Sequence, residues 1–144
     1  MRFRLAIAIV ISTAVAVSGC SSQGSEPVTE LDISMFNNYF EPAETQLSSG
    51  VSITVEVTNG EAVGTQFSIH DLAIVSGVYE TEAEYKEAIE ADPSVLLAST
   101  DRLGPGDSTQ VVVNFPSPGM YQLVCTIPGH VDVDNMTGVI NVEN

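Results

Sequence analysis

The sequence predicts an all-β sandwich of about seven or eight short strands, interrupted by one short helical insertion. Three observations lead there. Apolar residues recur at alternate positions over several short stretches, Gly- and Pro-bearing turns separate those stretches, and a single segment carries helical spacing with its own start and stop signals. At 144 residues the chain is long enough for one domain that buries a core without help from cross-links.

Leu31, Ile33 and Met35 alternate with polar neighbours, and Val51, Ile53, Val55 and Val57 do so over a longer run, so both segments read as half-buried strands. Around His70 the phase breaks. Phe67 and Ile69 share one parity, whereas Leu72 and Ile74 take the other. A β-bulge at His70-Asp71 accounts for the shift and would turn His70 toward the loop that follows the last long strand. Thr81-Glu82-Ala83-Glu84 has the capping-box pattern, Tyr85, Ala88 and Ile89 fall on one helical face, and Asp92-Pro93 stops the helix. Val95 to Ala98 reads as a short strand, Leu103-Gly104-Pro105-Gly106 as a turn, and Gln110 to Phe115 as an apolar strand. After the turn Pro116-Ser117-Pro118-Gly119, the segments Met120 to Cys125 and Gly138 to Val142 supply two strands flanking one loop. The sequence contains no internal repeat.

Residues 1–19 have the character of an export signal: a basic start (Arg2, Arg4), an apolar run from Leu5 to Val17, and small residues up to Cys20. Val17-Ser18-Gly19-Cys20 resembles the lipobox of bacterial lipoproteins. The expectation is that Cys20 is lipidated, becomes the mature N-terminus and anchors the protein to the outer face of the cell membrane. A plain signal peptide cleaved nearby is the alternative. Residues 20–28 then form a flexible tether and 29–144 the folded domain.

The formal net charge is −15, with 19 acidic side chains against four basic ones, and Lys86 and Arg102 are the only cations outside the signal. Nucleic acid is excluded as a partner by this balance. The acidity reads either as a solvated surface, in keeping with a salty environment, or as steering toward a basic redox partner. Asp132 and Asp134 are a special case, since they lie between candidate ligands and are expected beside the metal. The two cysteines, Cys20 and Cys125, each have a separate explanation, so no disulfide is expected.

That explanation for Cys125 lies in the run Cys125-Thr126-Ile127-Pro128-Gly129-His130, followed by Met136, which gathers a thiol, an imidazole and a thioether on one loop. His70 is the only other histidine. Two imidazoles, one thiolate and a weak axial thioether are the ligand set of blue-copper electron-transfer sites, a compromise between the preferences of Cu(I) and Cu(II). Pro128 removes one backbone donor near the sulfur and stiffens the loop, and Gly129 permits the turn that aims His130 inward. Taken singly, each ligand has a plainer reading: His70 as a surface or core histidine, Met136 as packing, Cys125 as a small buried hydrophobe.

The stretch C-T-I-P-G-H, then M-T-G-V-I, preceded by Pro118-Gly119-Met120-Tyr121-Gln122-Leu123-Val124, resembles the copper loop of the cupredoxins, the plastocyanin- and azurin-like blue copper proteins, and is most similar to the azurin and auracyanin branch. As in that branch, four residues separate Cys125 from His130. Ser68 to Val75, the acidic helical insertion and Leu103 to Ser108 extend the resemblance over most of the chain beyond Thr29. It implies a Greek-key β-sandwich holding one type 1 copper ion, with His70, Cys125 and His130 as equatorial ligands and Met136 as the axial one. Two departures stand out. Asp71 replaces the usual Asn, and five residues separate His130 from Met136 where the family has fewer. Asp71 is then either a surface residue or, with Pro128 and Gly129, a neighbour of the ligands that tunes the site.

The function expected is a one-electron carrier between membrane-associated redox partners, exchanging electrons through the exposed edge of His130. No second histidine cluster and no convincing Ser/His/Asp arrangement supports catalysis, so the chain is not expected to be an enzyme. The partner would be a protein with a basic docking patch, a cytochrome or a membrane redox complex, and the carrier itself a monomer. A copper-binding protein for delivery, sensing or resistance is the alternative, and a zinc-stabilised structural domain is a third possibility because Cys and His also hold zinc.

Overall fold

The computed structural model describes residues 28–64 and 68–144. The segment expected to be an export signal, Cys20, the expected tether up to residue 27 and Phe67 lie outside the described residues. Nine strands, β1 (Glu30–Phe36), β2 (Tyr39–Glu41), β3 (Glu44–Ser48), β4 (Ser52–Asn59), β5 (Ala73–Ser76), β6 (Leu96–Ser99), β7 (Ser108–Asn114), β8 (Gly119–Val124) and β9 (Thr137–Glu143), and one α-helix, α1 (Glu82–Ala91), are found among them. The strands form two sheets, ordered β2-β1-β4-β7 and β3-β9-β8-β5-β6. This is the expected all-β sandwich with a helical insertion, enlarged by the short strands β2 and β3, whose few residues offer little alternation to read.

Alternation builds the core. β1 and β4 run parallel with Ile33 opposite Val57, and β4 pairs antiparallel with β7, Ile53 opposite Val113. Every second side chain of β4 is buried, from Ile53 through Val55 and Val57 to Asn59. These meet Phe40, Leu47, Ile74, Phe115, Leu123, Ile140 and Met136 from the rest of the sandwich in one continuous cluster. Full burial of each Leu, Ile or Phe contributes about 1.5–3 kcal/mol, so the layer is held chiefly by apolar area removed from water.

The outer face of the second sheet is covered as well. Thr81 caps α1 with its hydroxyl on Glu84 N, while the Glu84 carboxylate accepts from the Thr81 backbone, the capping box read in the sequence. The helix lays Tyr85 on Ala73, Val75, Val124 and Val131, a second apolar cluster. For this reason Ala73, Ile74 and Val75 are all buried and β5 does not alternate. The expected bulge at His70-Asp71 is not there. His70 instead forms an isolated bridge with Leu103, and the register shift lies between Ile74 and Val75, where β5 pairs with β6. Ile69 is 47% exposed while Ser68, His70, Leu72 and Ile74 are buried, so the buried parity runs unbroken through His70 and the apolar Ile69 suggested a phase break that burial does not follow.

Candidate metal centre

His70 is fixed by its backbone. Its N–H donates to Leu103 O at 3.1 Å and its carbonyl accepts from Leu103 N at 2.7 Å. Behind this bridge stands Asn59, wholly buried, whose Nδ2 donates to both Ser68 O (2.7 Å) and Leu103 O (2.9 Å) while Oδ1 accepts from Glu61 N at 3.1 Å. An unpaired buried amide is costly, so a partnered one specifies this arrangement. Sequence reasoning missed Asn59. The signal was present, since Asn59 occupies the buried parity of β4, where a polar residue needs a reason.

Cys125 leaves the end of β8, fully buried. Asp71 clamps the residue after it: Oδ1 accepts from Thr126 N at 2.6 Å and Oδ2 from Thr126 Oγ1 at 2.8 Å. The reading of Asp71 as a surface residue is therefore overturned. Its side chain is 6% exposed, and Oδ1 lies 3.7 Å from Cys125 Sγ. Turning inward gives the carboxylate donors that replace the water it loses. The exposed Asp132 carboxylate accepts from Glu82 N at 2.8 Å, at the start of α1, where a helix N-terminus presents free N–H groups and positive dipole. Asp134 is exposed, and its field reaches His70.

From Ile127 to Asn135 the loop makes a succession of turns. His130 N donates to Ile127 O (3.1 Å), Val133 N to Gly129 O (2.8 Å) and Asn135 N to Val131 O (3.1 Å). Pro128 is exposed at the tip, Gly129 adopts φ 89°, and Asn135 adopts φ 52°, a left-handed conformation that Asn tolerates. Met136 N then bonds back to His130 O at 2.8 Å, and the Met136 side chain is buried in the same cluster as Cys125. The helical turn thus absorbs the extra residues between His130 and Met136.

These segments bring His70, Cys125 and His130 together, with one ligand atom from each within 4.8 Å of the others. Both imidazoles present Nδ1 to the sulfur, at 4.0 Å for His70 and 3.3 Å for His130. In a trigonal site with bonds of about 2.1 Å to nitrogen and 2.3 Å to sulfur, the edge between donors is roughly 3.8 Å. The observed edges bracket that value, so the donor set fits a single small ion with little movement. His70 Nε2 is buried with no hydrogen-bond partner among the described residues, so nothing there competes with Nδ1 for orientation of the ring.

The electrostatics of the donors suit a bound cation. Burial, with the proximity of His130 second, lowers the pKa of His70 and keeps its imidazole neutral, the form that ligates. Burial pushes the Cys125 thiol up to about 11, against backbone hydrogen bonds involving Asp71 and Ile127 that favour the thiolate. A bound metal ion would supply the charge that holds a thiolate at neutral pH in such a place.

Comparison with known proteins places these features in context. A family model described as a cupredoxin-like domain matches residues 6–140. Auracyanin-A of Chloroflexus aurantiacus is 24% identical over 148 residues, spanning 88% of this chain and 89% of that protein. Auracyanin-B of the same organism is 26% identical over 147 residues, and the match spans 94% of this chain but 61% of auracyanin-B. Among solved structures, the dithionite-reduced auracyanin of the photosynthetic bacterium Roseiflexus castenholzii superposes with a TM-score of 0.67 at 29% identity, covering 83% of this chain and all of that one (100%).

Proposed function

The chain belongs to the cupredoxin-like domain family, and from that premise we propose that it is a blue copper electron carrier in which His70 Nδ1, Cys125 Sγ and His130 Nδ1, together with Met136, would hold one type 1 copper ion. The observation that carries this reading is the convergence of two Nδ1 atoms on one buried sulfur at 3.3 and 4.0 Å. Copper, when bound, supplies one-electron redox chemistry at a potential set by its ligands. The protein's part is to hold those ligands still. His70 is locked to Leu103, Cys125 is followed by the Asp71–Thr126 clamp, and Met136 is buried and tied by its backbone to His130. Burial of Cys125, His70 and Met136 excludes water from the sulfur and nitrogen donors, while half-buried His130 leaves a route for electrons to the surface. The auracyanin names support the carrier reading, because auracyanin A is itself described as a blue copper protein.

The finer assignments are part of the same proposal. Cys20 carries a lipid that holds the domain at the outer face of the cell membrane, the partner is a redox protein or membrane complex with a basic docking patch, and the carrier works as a monomer. Voltammetry of the copper-loaded protein, followed by challenge with a Cu(I) chelator, tests the carrier against copper delivery. A reversible one-electron wave with copper retained after many cycles is expected. Rapid surrender of Cu(I) would favour delivery.

A further inference from the structure

Helix α1 and the turn carrying His130 hold each other through a reciprocal pair of hydrogen bonds. Gly129 N donates to Glu82 Oε2 at 3.1 Å, and Glu82 N donates to Asp132 Oδ1 at 2.8 Å. These contacts fall on either side of His130 and link segments 47 and 50 residues apart. The Glu82 carboxylate is only 14% exposed and is oriented by an ion pair with Lys86 one turn on. Lys86 thereby holds Glu82 while Glu82 holds Gly129.

The other ligands have anchors of their own. His70 sits in a backbone bridge and Cys125 follows directly on β8. His130 lies in the loop, whose hydrogen bonds from Ile127 to Met136 are internal to it. Val131 packs on Ala73, Val75, Val124 and Tyr85 and the His130 ring meets that of His70, while the two carboxylates supply the hydrogen bonds that join this turn to α1. We propose that Glu82 and Asp132 are positioning residues of the copper centre: they hold the Gly129–Asp132 turn in its ligating conformation before metal binds and keep it there through redox cycling. The proposal rests on the copper reading given above. Such preorganisation limits the movement of His130 between the two oxidation states, which a fast carrier requires.

The test uses the full chain with Glu82→Ala, Glu82→Gln and Asp132→Asn. In the copper-free protein, hydrogen exchange at the Gly129 amide should quicken about tenfold in Glu82→Ala, the loss of one hydrogen bond. Glu82→Gln still offers an acceptor but loses the ion pair with Lys86, so its exchange should fall between wild type and Glu82→Ala. In the copper-loaded protein, Glu82→Ala should alter the Cu(II) electron paramagnetic resonance hyperfine splitting, with Glu82→Gln and Asp132→Asn close to wild type. Wild-type exchange and an unchanged spectrum in Glu82→Ala would overturn the proposal. So would equal acceleration at Ile74 and Leu123, which would make Glu82 a support of the whole fold. A wild-type chain that binds no copper would sink the copper reading, yet Gly129 exchange would still decide whether the latch exists.

Discussion

At the residue scale, Cys125 and His70 carry opposite pH signatures in the metal-free protein. The folded pKa of His70 lies below its ordinary value of 6.5, so its contribution to stability is present above that value and is lost as pH falls toward and through the folded one. Urea midpoints measured from neutral to mildly acidic pH should therefore fall, and His70→Gln should flatten that fall. The Cys125 thiol is raised from 9.0 to about 11, so its contribution is present below 9.0 and disappears as pH rises through about 11. Copper uptake at neutral pH must displace this proton. Calorimetry in two buffers of different ionisation enthalpy should show about one proton released per ion, and Cys125→Ser should abolish most of it. Asp71 adds a charge close to the sulfur that favours Cu(II). Asp71→Asn is expected to raise the reduction potential, by about 59 mV if the redox equilibrium changes tenfold. Asp71→Ala should cost about 1–3 kcal/mol of stability, because it strands the Thr126 N–H. An unchanged potential in Asp71→Asn would mean that this carboxylate does not tune the site.

At the element scale, legibility followed exposure. β1, β4 and α1 were readable because each has one buried and one solvated face, and their alternation or capping box appears directly in the residue order. The segment around His70 was misread because apolar Ile69 is exposed while polar Ser68 and His70 are buried, so hydrophobicity and burial disagree there. The candidate ligands were legible as chemistry, Cys125-x4-His130 with one remote histidine, before any geometry was known. What holds them was not. Asn59, the Asp71–Thr126 clamp and the Glu82–Gly129 contact join residues far apart in sequence, and no local pattern encodes such pairs. Tyr85 gives a prediction at this scale. Its hydroxyl is buried beneath α1 with no hydrogen-bond partner among the described residues. Tyr85→Phe should raise the urea unfolding free energy by about 1 kcal/mol. A loss of stability would show that the hydroxyl is satisfied in solution.

At the scale of the whole molecule, a sandwich of two sheets presents two buried donors and one half-buried donor on a strongly acidic body. The net charge of −15 repels itself, so added salt should raise the melting temperature of the domain by screening. The same screening should slow encounter with a basic redox partner, roughly tenfold or more between low and physiological ionic strength when followed by stopped flow. A rate independent of salt would assign the acidity to solvation alone. The cupredoxin resemblance read from the copper loop agrees with the match of the cupredoxin-like family over residues 6–140 and with the fold of the auracyanins.

The central claim, that Cys125 ligates copper between two histidines, is tested most directly by the visible spectrum of the Cu(II)-loaded protein before and after ascorbate, alongside Cys125→Ser. An intense blue or green absorption that bleaches on reduction and is absent from Cys125→Ser is the predicted result. A colourless protein, or a colour that survives in Cys125→Ser, would contradict it.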